Sequence, residues 1–224
     1  ARASLGTAQE RRLSSDERSQ LRELGFVVLR GIVPPPLVER ARRAILATLA
    51  EVPGKILAAG TPAEQAAYPQ VGALGSSPAI RSLLSETKVW GAVSDILGEG
   101  SVNVPGGAQV APRFPEVLGD EDRRGSQPQG PPSRWHIDGM DRDLAAPFGV
   151  LCSIAPSDVH SPGMGNFTVF PGTHTHLCHL LRDRGADWVR GSATRPALPA
   201  DPLEVTASAG DIILAHPMLA HRVG

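Results

Sequence analysis

The stretch Ser133-Arg134-Trp135-His136-Ile137-Asp138-Gly139 most restricts how this chain folds, because polar and apolar residues alternate from His136 onward. On an extended strand alternate side chains share a face, so His136 and Asp138 are expected to point one way, with Ile137 turned into a core. One imidazole and one carboxylate on one face supply two donors of the two-His-one-carboxylate facial triad, which holds Fe(II) and leaves coordination positions open. A third donor has to come from elsewhere. With seven histidines in the chain an H-x-D pair arises readily by chance, and its context must confirm it.

That context lies at the far end, in Ala209-Gly210-Asp211-Ile212-Ile213-Leu214-Ala215-His216-Pro217-Met218-Leu219-Ala220-His221. An apolar strand opened by Gly-Asp, interrupted by Pro217 and ending on His221 is able to return a histidine to the same ion. His216 competes for that place, and strand phase does not decide between the two because Pro217 breaks it. Between these segments, Gly165-Asn166-Phe167-Thr168-Val169-Phe170-Pro171-Gly172-Thr173-His174 reads as a strand followed by a sharp turn.

In this order the three segments resemble the phytanoyl-CoA dioxygenase family of Fe(II)/2-oxoglutarate oxygenases. The family pattern is H-x-D, an N/G-rich loop into a strand and P-G-[ST]-H, then G-D-hydrophobic-His-x4-His. Leu13 to Glu17 and Gly25 to Gly31 look like the family's N-terminal helix and strand, so the resemblance covers most of the chain. It implies an α+β chain with a mainly β core: a double-stranded β-helix of the jelly-roll or cupin kind, backed by N-terminal helices. It assigns the second histidine as ligand, giving His136, Asp138 and His221 as the iron set, with His216 left either as an outer partner of that set or as a packed histidine.

The implied activity is hydroxylation of a small organic or lipid-like molecule. It would use Fe(II), 2-oxoglutarate and O2, with ascorbate as a stimulant, and release succinate and CO2. In related halogenases a small residue replaces the carboxylate, so the retained Asp138 favours hydroxylation, although desaturation or ring formation uses the same ligands. Family members grip the distal carboxylate of 2-oxoglutarate with an Arg beyond the second histidine, and many have Ser where this chain has Val223. Because the sequence begins without Met and stops at Gly224, a fragment with a truncated last strand is expected. The alternative reading is a non-catalytic jelly-roll binding module; a cupin-type metal enzyme that ignores 2-oxoglutarate is a third.

Length suits one domain, residues 1–224, with helical support and one early strand in 1–100 and the jelly-roll core in 101–224. A formal net charge of -1 gives no electrostatic reason for a nucleic-acid or anionic-membrane partner. No apolar run approaches the roughly 20 residues of a membrane span, and no basic-then-apolar leader opens the chain. Cys152 and Cys178 alone make no disulfide framework, so a soluble protein is expected, the cytoplasm favoured.

Along the chain, Ser14-x-x-Glu17 reads as a capping box for a helix ending at Gly25, followed by a buried strand, Phe26 to Leu29. Pro34 and Pro35 open a helix whose apolar residues run from Leu37 to Leu49. A short helix is placed near Pro62 to Ala67, and further helices over Pro78 to Leu84 and Glu86 to Leu97. From Gly107 the period shifts toward two, putting Gln109 and Arg113 on one face of a strand and Val110 on the other. Gln109 and Arg113, with Val110 between them, are cosubstrate candidates, since a planar guanidinium grips a carboxylate through two bonds, and the resemblance to the family adds Ile154 and Val223. Arg134, Trp135, Met140 and Phe167 are the candidates for a substrate pocket. Residues 115–133 read as a mobile loop or lid.

Phe148 to Ala155 reads as an inner strand, Asn166 to Phe170 as the next, and Leu203 to Thr206 and Asp211 to Ala215 as the last two. Thr173 is expected to cap a helix whose buried stripe is Leu177, Leu180 and Leu181. His174, His176, Cys178 and His179 at its start have no second ligand pair to complete a zinc site, and read as a solvated face.

Overall fold

The computed structural model describes residues 11–51, 71–103, 105–113, 135–138, 149–185 and 197–223. Helix α1 (Ser15–Leu24) starts on the expected capping box, with Ser14 Oγ accepting from the Glu17 amide and the Glu17 carboxylate accepting from the Ser14 amide. Gly25 ends it at φ +81, a conformation open to glycine, and the chain turns directly into β1 (Phe26–Leu29). Helices α2 (Pro35–Glu51), α3 (Pro78–Ser85) and α4 (Val89–Leu97) follow. The last begins at Val89 rather than Glu86. Thr87, buried at the junction, donates from Oγ1 to the Leu83 carbonyl and accepts from the Val89 amide, which separates the two helices.

The strands are β2 (Leu151–Ile154), β3 (Phe167–Val169), β4 (Leu203–Val205), β5 (Ile212–Ala215) and β6 (His221–Val223), with α5 (Thr173–Arg184) between β3 and β4. They form two three-stranded antiparallel sheets, ordered β1-β5-β2 and β4-β3-β6. Alternation sorts their side chains into layers. Val27, Leu29, Ile212 and Leu214 pack toward α2, α3 and α4, while Phe26, Ile213 and Ala215 meet Val169 and Val205 of the other sheet. On the outer face of the second sheet, Trp135, Ile137, Phe170 and Ala220 are covered by Leu177 of α5. Helices, sheet, sheet and helix thus stack in that order, and β5 is buried on both faces. Burying Leu29, Ile212 or Leu214 contributes about 1.5–3 kcal/mol each.

Three expectations change. Residues 109–113 keep the alternation of exposed Gln109, buried Val110 and exposed Ala111, yet form no strand. Pro112 has no amide to give a ladder, and the segment is instead tied by the Ala108 amide to the Gly75 carbonyl. Beyond Pro217 a further strand, β6, begins at His221 where the sequence showed none. Thr173 is the first residue of α5 rather than its cap, which is Gly172 at φ +76. The helix near Pro62 to Ala67 and the loop 115–133 lie outside the described residues. Among the described residues no helix is long and apolar enough to cross a membrane.

Asp211, expected to be a turn residue, is buried where β5 begins. It accepts from the Gly31 and Ser208 amides and pairs with Arg30 at 2.6 Å. Burial alone would raise its carboxyl, but these donors outweigh it and hold the group below the ordinary carboxylate range. The stability it contributes is fully present above the unfolded value, about 4, and is lost as pH falls through the lower folded value. Asp211→Asn is therefore expected to lower the melting temperature at pH 7 and to flatten its acid-side fall. Thermal melts from pH 2 to 7 check this, and parallel curves for the two proteins would contradict it.

Candidate metal centre

Strand β6 pairs with β3 so that His221 lies opposite Val169, and His136 in turn bridges His221 through two reciprocal backbone bonds, each 2.9 Å. Residues directly opposite on neighbouring strands share a face. Since Val169 points into the layer between the sheets, His221 and His136 point there too. Ile137 turns the other way, into the cluster under α5, and Asp138 returns to the inner side. The alternation expected for residues 136–138 is what the structure shows.

One donor atom from each of His136, Asp138 and His221 lies within 4.8 Å of the other two. Both Nε2 atoms stand 3.7 Å from Asp138 Oδ1, and the imidazole rings are 4.3 Å apart, tilted by 56°. The His221 side chain is 8% exposed, Asp138 34% and His136 47%, so the group has a closed side at β6 and an open one at His136. Contact with the His221 imidazole, with the attraction that either ring adds when protonated, holds the Asp138 carboxyl below its usual range, against the burial that raises it.

His221 Nδ1 lies 2.9 Å from the Leu219 carbonyl. A carbonyl only accepts, so the proton sits on Nδ1 and the Nε2 lone pair is left for an ion, the arrangement by which an outer partner orients a ligating histidine. The donor chemistry fits a divalent iron: two imidazole nitrogens and one carboxylate on one face of the site. Among the described residues no other group of three or more donors meets this description, and the histidines of α5 form none.

The remaining candidates are scattered. Phe167 stands beside the site, its ring 5.3 Å from that of His221. Trp135 is buried in the cluster under α5, on the face away from the triad, because it shares the phase of Ile137. Val110 and Ile154 pack toward α2, α3 and α4 on the far side of the first sheet. Gln109 is exposed; Arg113 is too, its stem lying against Gly165 at the start of β3. The backbone of Val223 pairs with Phe167. Arg134 and Met140 lie outside the described residues.

The solvated face expected at the start of α5 does not extend to His174, which is buried, 7% exposed, with its ring 5.1 Å from His216. Its Nε2 faces the Arg22 carbonyl at 3.1 Å. Burial depresses the basicity of both rings, and His174 depresses that of His216 further. His216 stands outside the triad.

The described chain is therefore a helix-flanked pair of antiparallel sheets whose inner layer carries a two-histidine, one-carboxylate site. It shares its fold with the non-heme alpha ketoglutarate dependent carbocyclase SnoK from nogalamycin biosynthesis, at 17% identity over 94% of this chain and 77% of that one, with a TM-score of 0.53. Apo HygX from Streptomyces hygroscopicus aligns at 18% identity over 95% and 80%, TM-score 0.48. The epimerase SnoN, in complex with Fe3+, alpha ketoglutarate and nogalamycin RO, aligns at 20% over 93% and 76%, TM-score 0.48. No protein-family model matches the chain, and no curated protein does.

Proposed function

We propose that this chain is a non-heme Fe(II) enzyme that consumes 2-oxoglutarate and O2 to hydroxylate a small organic molecule. The observation that carries the reading is the meeting of His136, Asp138 and His221 on the inner face of the second sheet. The fold shared with a non-heme alpha ketoglutarate dependent enzyme supports it, as does the likeness of the sequence motifs to the phytanoyl-CoA dioxygenase family. The reading includes a complete double-stranded β-helix, of which the two described sheets are the two walls.

When bound, the iron with 2-oxoglutarate and O2 supplies the oxidising chemistry, in which decarboxylation to succinate and CO2 accompanies a two-electron oxidation of the substrate. The chain's own part is to bind and orient. His221 Nε2, His136 and the ionised Asp138 would hold the metal, and the Leu219 carbonyl would keep the His221 proton away from it. Phe167 walls the closed side, leaving the His136 side for the small molecules. A carboxylate retained at Asp138 would take up the donor place that a halide needs, which favours hydroxylation.

The test is conversion of 2-oxoglutarate to succinate by the protein expressed from its complete gene, with Fe(II) and ascorbate. Succinate is expected to depend on iron, to stop on chelation and to be absent from His136→Ala. Failure of the wild-type protein both to turn over and to bind 2-oxoglutarate would sink the oxygenase reading.

A further inference from the structure

The turn that delivers His221 is held from inside by a histidine that does not touch the ion site. His216 follows β5 and extends its pairing, its amide donating to the Gly25 carbonyl at 2.8 Å. Its own carbonyl then accepts from the Leu219 amide at 2.9 Å, closing a four-residue turn with Pro217 in the second place, where proline presets the backbone. Inside the same turn, His216 Nδ1 accepts from the Met218 amide at 3.1 Å. Two bonds from one residue thus fix Met218 and Leu219, and the Leu219 carbonyl is the group that faces His221 Nδ1.

His216 is itself held in place. The His174 ring packs against it, and His174 is anchored because its Nε2 donates to the Arg22 carbonyl at the end of α1. His174 Nδ1 is buried without a hydrogen-bond partner, over the α-carbon of Gly25. From the other side, Thr173 Oγ1 donates to the Phe170 carbonyl and accepts from the Ala220 amide at 3.2 Å. The segment from His216 to His221 is consequently clamped between α1 and α5 by polar contacts that are buried or half-buried.

We propose that His216 is a positioning residue for the metal centre, acting through its Nδ1 to set the Leu219 carbonyl that fixes the protonated nitrogen of His221. Its consequence for iron rests on the function proposed above, but the positioning itself is a property of the metal-free protein. Asparagine is the informative substitution, because its side-chain oxygen takes roughly the place of Nδ1 and accepts the same amide, whereas alanine accepts nothing.

The experiment reads imidazole nitrogen resonances of the metal-free protein and, separately, Co(II) titration followed by the visible spectrum, in wild type, His216→Ala and His216→Asn. Wild type and His216→Asn are expected to show His221 protonated on Nδ1 alone, while His216→Ala shows a mixture of tautomers. Co(II) affinity is expected to fall about 10–100-fold in His216→Ala and to recover in His216→Asn, as for other outer partners of metal ligands. An unchanged His221 tautomer in His216→Ala overturns the proposal, and so does an equal loss in both variants. Wild-type protein that shows the expected tautomers but binds no Co(II) would leave the positioning role standing and bring down the iron site instead.

Discussion

His136→Ala is expected to abolish metal binding and 2-oxoglutarate turnover while leaving the melting temperature within about 2 °C of wild type, and His221→Ala to abolish both and to destabilise the protein as well. The difference follows from where the two rings sit. His136 is nearly half exposed and is tied to β6 through its backbone, which alanine retains. His221 is 8% exposed, stacks near Phe167 and His136, and satisfies the Leu219 carbonyl. Its removal leaves a buried acceptor unpaired and a void beside Phe167, a combined cost of about 2–4 kcal/mol. At 2–4 °C per kcal/mol for a chain of this size, the melting temperature should fall by roughly 5–15 °C. Each variant should lose metal affinity by more than the 10–100-fold typical of an outer-shell partner, because a donor itself is gone. Co(II) or Fe(II) titration with parallel thermal melts separates the two effects. Metal affinity preserved in His136→Ala would mean that the three residues do not share an ion.

The His136 and Asp138 half of the candidate site was legible because its signal is local. Alternation through His136, Ile137 and Asp138 requires only that the segment be extended, and the structure keeps that phase, burying Ile137 at 2% exposure. The choice between His216 and His221 was not local. Pro217 erased the phase, and only the pairing of His221 with Val169 and His136 shows which ring reaches the inner layer. Strand β6 escaped for the same reason: three residues with one arginine carry too little periodicity to announce a strand. The burial of His174 was hidden differently, since it is produced by Arg22 and Gly25, far away in sequence, closing over a helix face that looks polar by composition. At Gln109, Val110 and Arg113 the alternation was real and the strand was not, because exposure alternates in any extended segment whether or not its amides find a ladder.

The junction that the sequence concealed should also be the most sensitive to a single methyl group. Gly25 ends α1 at φ +81, offers its carbonyl to the His216 amide, and lies beneath His174; a Cβ there would sit 2.5 Å from His174 Nδ1 and 2.9 Å from Leu219 Cδ1. An L-residue in the left-handed region costs about 1–2 kcal/mol, and overpacking a buried site about 1–3 kcal/mol more. Gly25→Ala is therefore expected to lower stability by about 2–5 kcal/mol, or roughly 4–20 °C in melting temperature. The crowded atoms belong to the clamp on the His216 to His221 turn, so Co(II) affinity should weaken along with stability. Gly31→Ala is the control: Gly31 is also left-handed, at φ +60, but a Cβ there meets nothing within 4 Å, so only the backbone cost applies. The gap between the two variants measures how tightly α1, α5 and the turn leading to His221 are packed together. Equal melting temperatures for Gly25→Ala and Gly31→Ala would show that the junction yields, and that His221 is held by its strand pairing alone.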